Sequence, residues 1–153
     1  MSAMSRRKGA TYENEIAGQL HDRLGITFRR DLEQYRATER GDLIPDDDAF
    51  PFVIECKRHA EGVNCLGSWK TQAVAAAKAA RKRPAVIFRF VRQQTRVAVP
   101  LSAFCDAWPA DDWAEVSLDG FCLLAREIMA EPGNWTPNDF RDLRDRIMGK
   151  DAE

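Results

Sequence analysis

Apolar residues recur at helical spacing early in the chain. Ile16, Ala17, Leu20 and Leu24 fall on one face, and Gly25 follows them. The pattern predicts a helix from about Thr11 to Leu24 closed by that glycine, with residues 1–8 a polar, mobile tail. Glu13 lies on the same buried stripe, whereas Glu15 points elsewhere with Gln19 and Asp22. Period-two and short apolar runs then predict strands: Ile26 to Arg30, Gly41 to Ile44, Phe52 to Lys57, Ala85 to Phe90 and Thr95 to Leu101. Pro45-Asp46-Asp47-Asp48 reads as the turn of a hairpin between the second and third of these. Asp31 to Arg40 is polar and reads as a loop or ragged strand. Ser68 to Arg83 reads as a helix with Ser68 as N-cap, a small-residue face of Ala73, Ala76, Ala77 and Ala80, and Pro84 at its end.

Beyond Leu101 the pattern predicts a short helix to Trp108, a strand over Glu115 to Leu118, and helices over Phe121 to Ala130 and Thr136 to Met148. Thr136-Pro137 supplies the last with a cap and a first-turn proline. The order is α-β-β-β-α-β-β with a helical tail. An α/β fold follows, with helices packed on a mixed sheet. Residues 1–101 form the expected core, and residues 102–153 a helical extension packed on the same domain.

The 153 residues suit one domain, and 44% hydrophobic against 31% charged residues suits a folded chain. No run approaches the roughly 18 apolar residues of a membrane span, and the start lacks the apolar stretch of a signal peptide. The expectation is a soluble, cytoplasmic protein of bacterial or phage origin. Cys56, Cys65, Cys105 and Cys122 have no zinc or redox spacing and are expected to be reduced. The net charge of −1 conceals a division. Residues 1–100 carry 18 Lys and Arg against 12 Asp and Glu, and residues 101–153 carry 5 against 12. A basic front half can face a polyanion.

The candidate chemistry comes from strand alternation. Phe52, Ile54 and Cys56 share one apolar face, so Glu55 and Lys57 stand together on the other. Charges on an interior strand are costly unless paired or metal-bound. An ion pair on a half-exposed strand accounts for Glu-x-Lys alone. Asp42 alters that reading, because the hairpin can set it beside Glu55. Two carboxylates at that separation suit magnesium, which takes one or two and keeps waters for a phosphate.

Gly41-Asp42 followed by Ile54-Glu55-Cys56-Lys57 resembles the PD-(D/E)XK nuclease superfamily. Lys8-Gly9-Ala10-Thr11-Tyr12-Glu13 resembles the opening of archaeal-type Holliday-junction resolvases. The resemblance covers roughly residues 6–101, with Gly41 where the superfamily's nickname has proline. It implies a restriction-endonuclease-like sheet core and a magnesium-dependent DNA endonuclease, with manganese able to substitute. It implies metal ligation by Glu13, Asp42, Glu55 and the Cys56 backbone carbonyl, with Lys57 offsetting charge in the transition state and Gln72 supporting the site. Products would carry a 5′-phosphate. Four-way junctions would be the substrate and a two-fold homodimer the assembly.

Arg6, Arg7, Lys8, Arg36, Arg40, Arg58 and Lys70 are the candidate DNA contacts. Lys78, Arg81, Lys82 and Arg83 complement a helix C-terminus. His21 and His59 read as surface histidines, Asp46 to Asp48 as a solvated turn, and Trp108, Trp113 and Trp135 as packing anchors. The alternatives are a nuclease of the same fold with another task (end processing, restriction or recombination), an inactive DNA-binding module, or an unrelated α/β protein with a chance ion pair.

Overall fold

In the computed structural model, residues 2–32, 41–104 and 107–130 are described. Helix α1 spans Ala3–Leu24, α2 Gly67–Ala80 and α3 Leu118–Ala130. The strands are β1 Phe28–Arg30, β2 Leu43–Pro45, β3 Phe52–His59, β4 Arg83–Phe90, β5 Arg96–Pro100 and β6 Trp113–Ser117. They form one sheet in chain order. Every neighbouring pair is antiparallel except β3 and β4, which are parallel and joined through α2. A parallel pair needs a crossover of that length, whereas antiparallel neighbours do not.

Alternation along β3 and β4 gives the sheet two buried faces. Phe52, Ile54, Cys56, Ala85 and Ile87 join one cluster with Tyr12, Ile16 and Leu20 of α1 and Phe121 and Ala125 of α3. Aromatic rings tighten it: Phe52 and Phe121 lie 4.9 Å apart by centroid, and Phe28 and Phe50 5.0 Å. Val86, Phe88, Phe90 and Ala98 form the other cluster with Ala73 of α2. The small face of α2 is buried at Ala73, Ala76 and Ala77, which lets the helix lie close to the strands.

Several expectations need correction. Helix α1 begins at Ala3, so Arg6, Arg7 and Lys8 ride its first turns rather than a mobile tail. Ser2 caps it by accepting from the Ser5 amide, and good helix formers follow. Ser68 does not cap α2. The helix starts at Gly67, its cap position is Leu66, and no side chain caps it. At its other end Arg81 adopts a left-handed conformation (φ 55°), and the Arg81 and Lys82 amides return to the last carbonyls. That Schellman-type closure ends the helix before Pro84, which already lies in β4. Where a short helix to Trp108 was expected, the described residues contain a 3-10 turn, Leu101–Ala103.

The described part of the extension is not wholly helical. β6 adds a strand to the sheet, and α3 buries Leu118, Phe121, Cys122, Ala125 and Ile128 in the main core. Cys56, Cys65 and Cys122 are free thiols. Arg36, Arg40, Cys105, Trp135 and the helix expected over 136–148 lie outside the described residues.

Candidate active site

Register decides the placement of the two central acids. Leu43 pairs with Ile54, which sets Asp42 opposite Glu55. The Asp42 amide donates to the Ile54 carbonyl at 2.8 Å. Its carboxylate Oδ2 accepts from the Cys56 amide at 2.7 Å. Asp42 is therefore clamped across the strand at both positions flanking Glu55. Gly41 makes this approach possible: a Cβ there would fall 2.7 Å from the Ile54 carbonyl oxygen and 2.8 Å from Val53 Cγ1.

Glu55 is fully buried, and among the described residues neither carboxylate oxygen has a hydrogen-bond partner. Burial pushes its pKa up to about 9, helped by repulsion from Asp42 and opposed by Lys57. As an acid it can offer a proton toward Asp42; as a carboxylate it has no donor. An orphaned buried carboxylate beside a second carboxylate is costly in a folded protein. A divalent cation removes that cost, so the Asp42 and Glu55 donor set fits a hard, oxygen-ligated metal.

Lys57 stands two residues along the same face of β3. Its Nζ donates to Gln72 Oε1 of α2 at 2.8 Å. Both side chains are half-buried. The crossover helix thus holds the lysine that the strand presents.

Glu13 reaches the same neighbourhood from α1. Its pKa is raised by burial and by Asp42, and lowered by Arg30 and Lys57. Arg30 Nε donates to Glu13 Oε2 at 2.6 Å. Among the described residues, no group of three His, Cys, Asp or Glu stands in metal-ligating geometry, and Glu13 and Asp42 are each held by another partner, Arg30 and the Cys56 amide.

Sequence reasoning missed Arg30. The available signal was its position two residues after Phe28, on the inward face of a three-residue strand. It also missed the partner of Glu15, whose carboxylate pairs with both terminal nitrogens of Arg89. Arg89 in turn lies over the Tyr12 ring at 5.1 Å; burial raises the Tyr12 phenol pKa, opposed by the Thr95 hydrogen bond and the Arg89 charge.

The remaining candidates are dispersed. Arg6, Arg7, Lys8 and Arg58 are exposed, and Lys70 lies over the Trp113 ring at 5.5 Å. His21 contacts the Ile26 carbonyl and His59 the Glu61 carbonyl, both as local braces. Asp47 accepts from the Ala49 amide within the turn, and Asp46 accepts from the Thr27 amide just before β1.

A family described as "phage putative PDDEXK endonuclease" matches residues 4–141. The chain belongs to that family. It is therefore a nuclease of the PDDEXK type, and its six-stranded mixed sheet with flanking helices is the framework on which the acids and lysine stand. No curated protein is detectably similar in sequence. Among solved structures, it resembles Hjc from Archaeoglobus fulgidus, a Holliday junction resolvase from an archaeal hyperthermophile. Identity there is 16%, over 76% of this chain and 88% of that one, with a TM-score of 0.47. Among the described residues, no helix is long and apolar enough to cross a membrane.

Proposed function

We propose that this PDDEXK nuclease is a magnesium-dependent endonuclease acting on branched DNA, with manganese an effective substitute. The observation that carries the metal is Glu55, buried beside Asp42 with no partner for either oxygen. Asp42, Glu55 and the Cys56 carbonyl would hold the cation, with Glu13 the third acid once Arg30 releases it. When bound, magnesium lowers the pKa of a coordinated water and polarises a scissile phosphate oxygen.

The chain's own groups supply the rest. Lys57, steadied by Gln72, offsets negative charge building on the phosphoryl oxygens. A water oxygen bonds to phosphorus and gives up a proton to solvent while the bond to the 3′ oxygen breaks, and that leaving oxygen takes a proton from solvent. The products are a 3′-hydroxyl and a 5′-phosphate. Gln72 is a positioning residue, since it touches Lys57 rather than substrate.

Arg6, Arg7, Lys8, Arg58 and Lys70 are proposed to contact backbone phosphates, together with Arg36 and Arg40. The preference for branched DNA rests on the Lys8-Gly9 to Glu13 opening and on the basic first turns of α1, which begins at Ala3, eight residues before Thr11. Symmetric cutting of a four-way junction would require a two-fold homodimer. A cytoplasmic setting, in a host bacterium or during phage infection, follows from a DNA substrate.

The test is cleavage of an end-labelled four-way junction and a linear duplex of the same sequence. Each is run with magnesium, with EDTA, and with Glu55→Ala protein. Magnesium-dependent paired nicks in the junction alone, lost in the variant, are expected. Equal cutting of both substrates would remove the branched preference, and cutting in EDTA would remove the metal.

A further inference from the structure

Helix α1 lies on the sheet along Tyr12, Ile16 and Leu20, and each shoulder of that buried stripe carries a glutamate held by a strand arginine. On one side Glu13 meets Arg30 of β1. On the other Glu15 meets Arg89 of β4 in a two-pronged pair, Nη1 to Oε1 at 2.8 Å and Nη2 to Oε2 at 3.1 Å. The first pair borders the proposed metal site. The second has no task in the mechanism above.

Arg89 is out of keeping with its strand. β4 runs through the middle of the sheet, and Pro84 to Phe88 and Phe90 are all buried. An ion pair whose side chains are 23% and 36% exposed contributes little to stability, and an apolar side chain would cover Tyr12 as well. What the arginine adds is a planar fork that fits a carboxylate or a phosphate equally.

Its surroundings favour the phosphate. Cys56 and Ile87 belong to the core cluster under α1, so Arg58 and Arg89, each two residues on, face the same way. The parallel register sets these two arginines side by side. Like charges in that position repel, and exposed Arg58 pairs with no acid among the described residues. The other acid at this end is Glu61, exposed in the loop after β3, and it makes no ion pair among the described residues. Tyr12 links the pair to the active site. Its ring lies against Arg89 at 5.1 Å, it packs in one cluster with Cys56, and Glu13 follows it in the chain. Its hydroxyl reaches Thr95 just before β5, at 3.4 Å, so this turn of α1 stands at the carboxyl end of β4. The exposed first turns of α1, with Arg7 and Lys8, extend past that end.

Glu15 has a second partner. Gln19 Nε2 donates to its Oε1 at 3.3 Å, so the carboxylate stays satisfied when Arg89 turns to another anion.

We infer that Arg89, together with Arg58, binds a backbone phosphate of the DNA beside the active site, and that Glu15 occupies the arginine in the free protein in that phosphate's place. The inference rests on the proposed nuclease reading and adds to it a DNA contact with a built-in competitor. Exchange of carboxylate for phosphate sets how tightly DNA is held and leaves the acids and Lys57 untouched.

The test is binding of a fluorescein-labelled duplex, followed by anisotropy in EDTA over about 50–200 mM salt. Wild type, Glu15→Gln, Arg89→Gln and the double variant are compared, with urea melts to establish folding. Glu15→Gln is expected to tighten binding about threefold or more, because it releases Arg89. Arg89→Gln is expected to weaken binding about tenfold and to lower the slope of log K against log salt by about one. The gain from Glu15→Gln should disappear in the double variant. An equal gain in both backgrounds would reduce Glu15 to a general surface charge and overturn the exchange. Weaker binding in both single variants would make the pair a structural brace and overturn it too. Arg89→Met, which keeps a stem over Tyr12, replaces Arg89→Gln should the latter not fold. A wild type that binds no DNA, in EDTA or in magnesium, would defeat the nuclease reading itself. One that binds but cuts nothing in magnesium would defeat the catalytic reading alone, and the double variant would still decide Arg89.

Discussion

Arg30 Nε sits 2.6 Å from Glu13 Oε2, so the outermost acid of the site is held by a cation from the edge strand. The pair is partly exposed, at 32% and 18% of the two side chains. A guanidinium at that distance competes electrostatically with a metal ion for the same carboxylate. Arg30→Ala is expected to tighten magnesium binding severalfold, as read by calorimetry, with a stability loss of no more than about 1 kcal/mol in urea. Weaker magnesium binding in this variant would place Glu13 outside the metal site.

Glu55 sets a pH dependence with a definite sign. Its folded pKa of about 9 exceeds the ordinary 4.5. Between those values the folded state holds a proton that the unfolded state has lost. Its contribution is complete below the unfolded pKa and disappears as pH rises through the folded one. Metal-free wild type should therefore lose stability between pH 5.5 and 8.5 relative to Glu55→Gln, by urea melts at each pH. Magnesium should restore the wild type at pH 8.5 and leave the variant unmoved.

Lys57 and Gln72 act as a unit across the strand and the crossover helix, joined at 2.8 Å. Gln72→Ala frees the ammonium without removing it. The expected result is a fall in kcat of roughly 10- to 100-fold with little change in KM. Gln72→Glu should restore part of it, since a carboxylate can accept from Lys57. A rise in KM alone would point to DNA contact rather than positioning.

Asp42 has two tasks that substitution can separate. Its Oδ2 satisfies the buried Cys56 amide, and its charge faces Glu55. Asp42→Asn keeps an acceptor and should fold normally yet lose metal binding and cleavage. Asp42→Ala leaves the amide unsatisfied and should also cost about 1–3 kcal/mol in chemical denaturation. Equal stability of the two variants would show that the amide bond contributes nothing.

Gly41 is buried where a methyl group would meet the β3 backbone at 2.7 Å. Gly41→Ala must push the two strands apart and carry Asp42 with them. A loss of about 1–3 kcal/mol is expected, with cleavage falling further than stability alone explains. Magnesium titration of the folded fraction checks the displacement.

Sequence alone determined the parts of this protein that repeat with a period. Alternation on β3 puts Glu55 and Lys57 on one face and Ile54 and Cys56 on the other, because successive strand residues must point oppositely. Helical spacing fixed the buried stripe of α1 and placed Glu13 on it. The turn at Pro45 to Asp48 made Asp42 a neighbour of Glu55, since hairpin register follows from turn position.

Only the tertiary structure decided what those side chains meet. Arg30 and Glu13 are 17 positions apart, and nothing local says that a strand end will lie against that helix turn. The Arg89 partner of Glu15 is 74 positions away, and the Glu115 carboxylate that holds the loop at Cys65 is 50 away. The start of α1 was misread because a solvent-exposed helix carries no apolar stripe, and the cap at Ser2 shows only in three dimensions. Pairing across distant segments depends on how sheet and helices pack, and packing is a property of the whole chain.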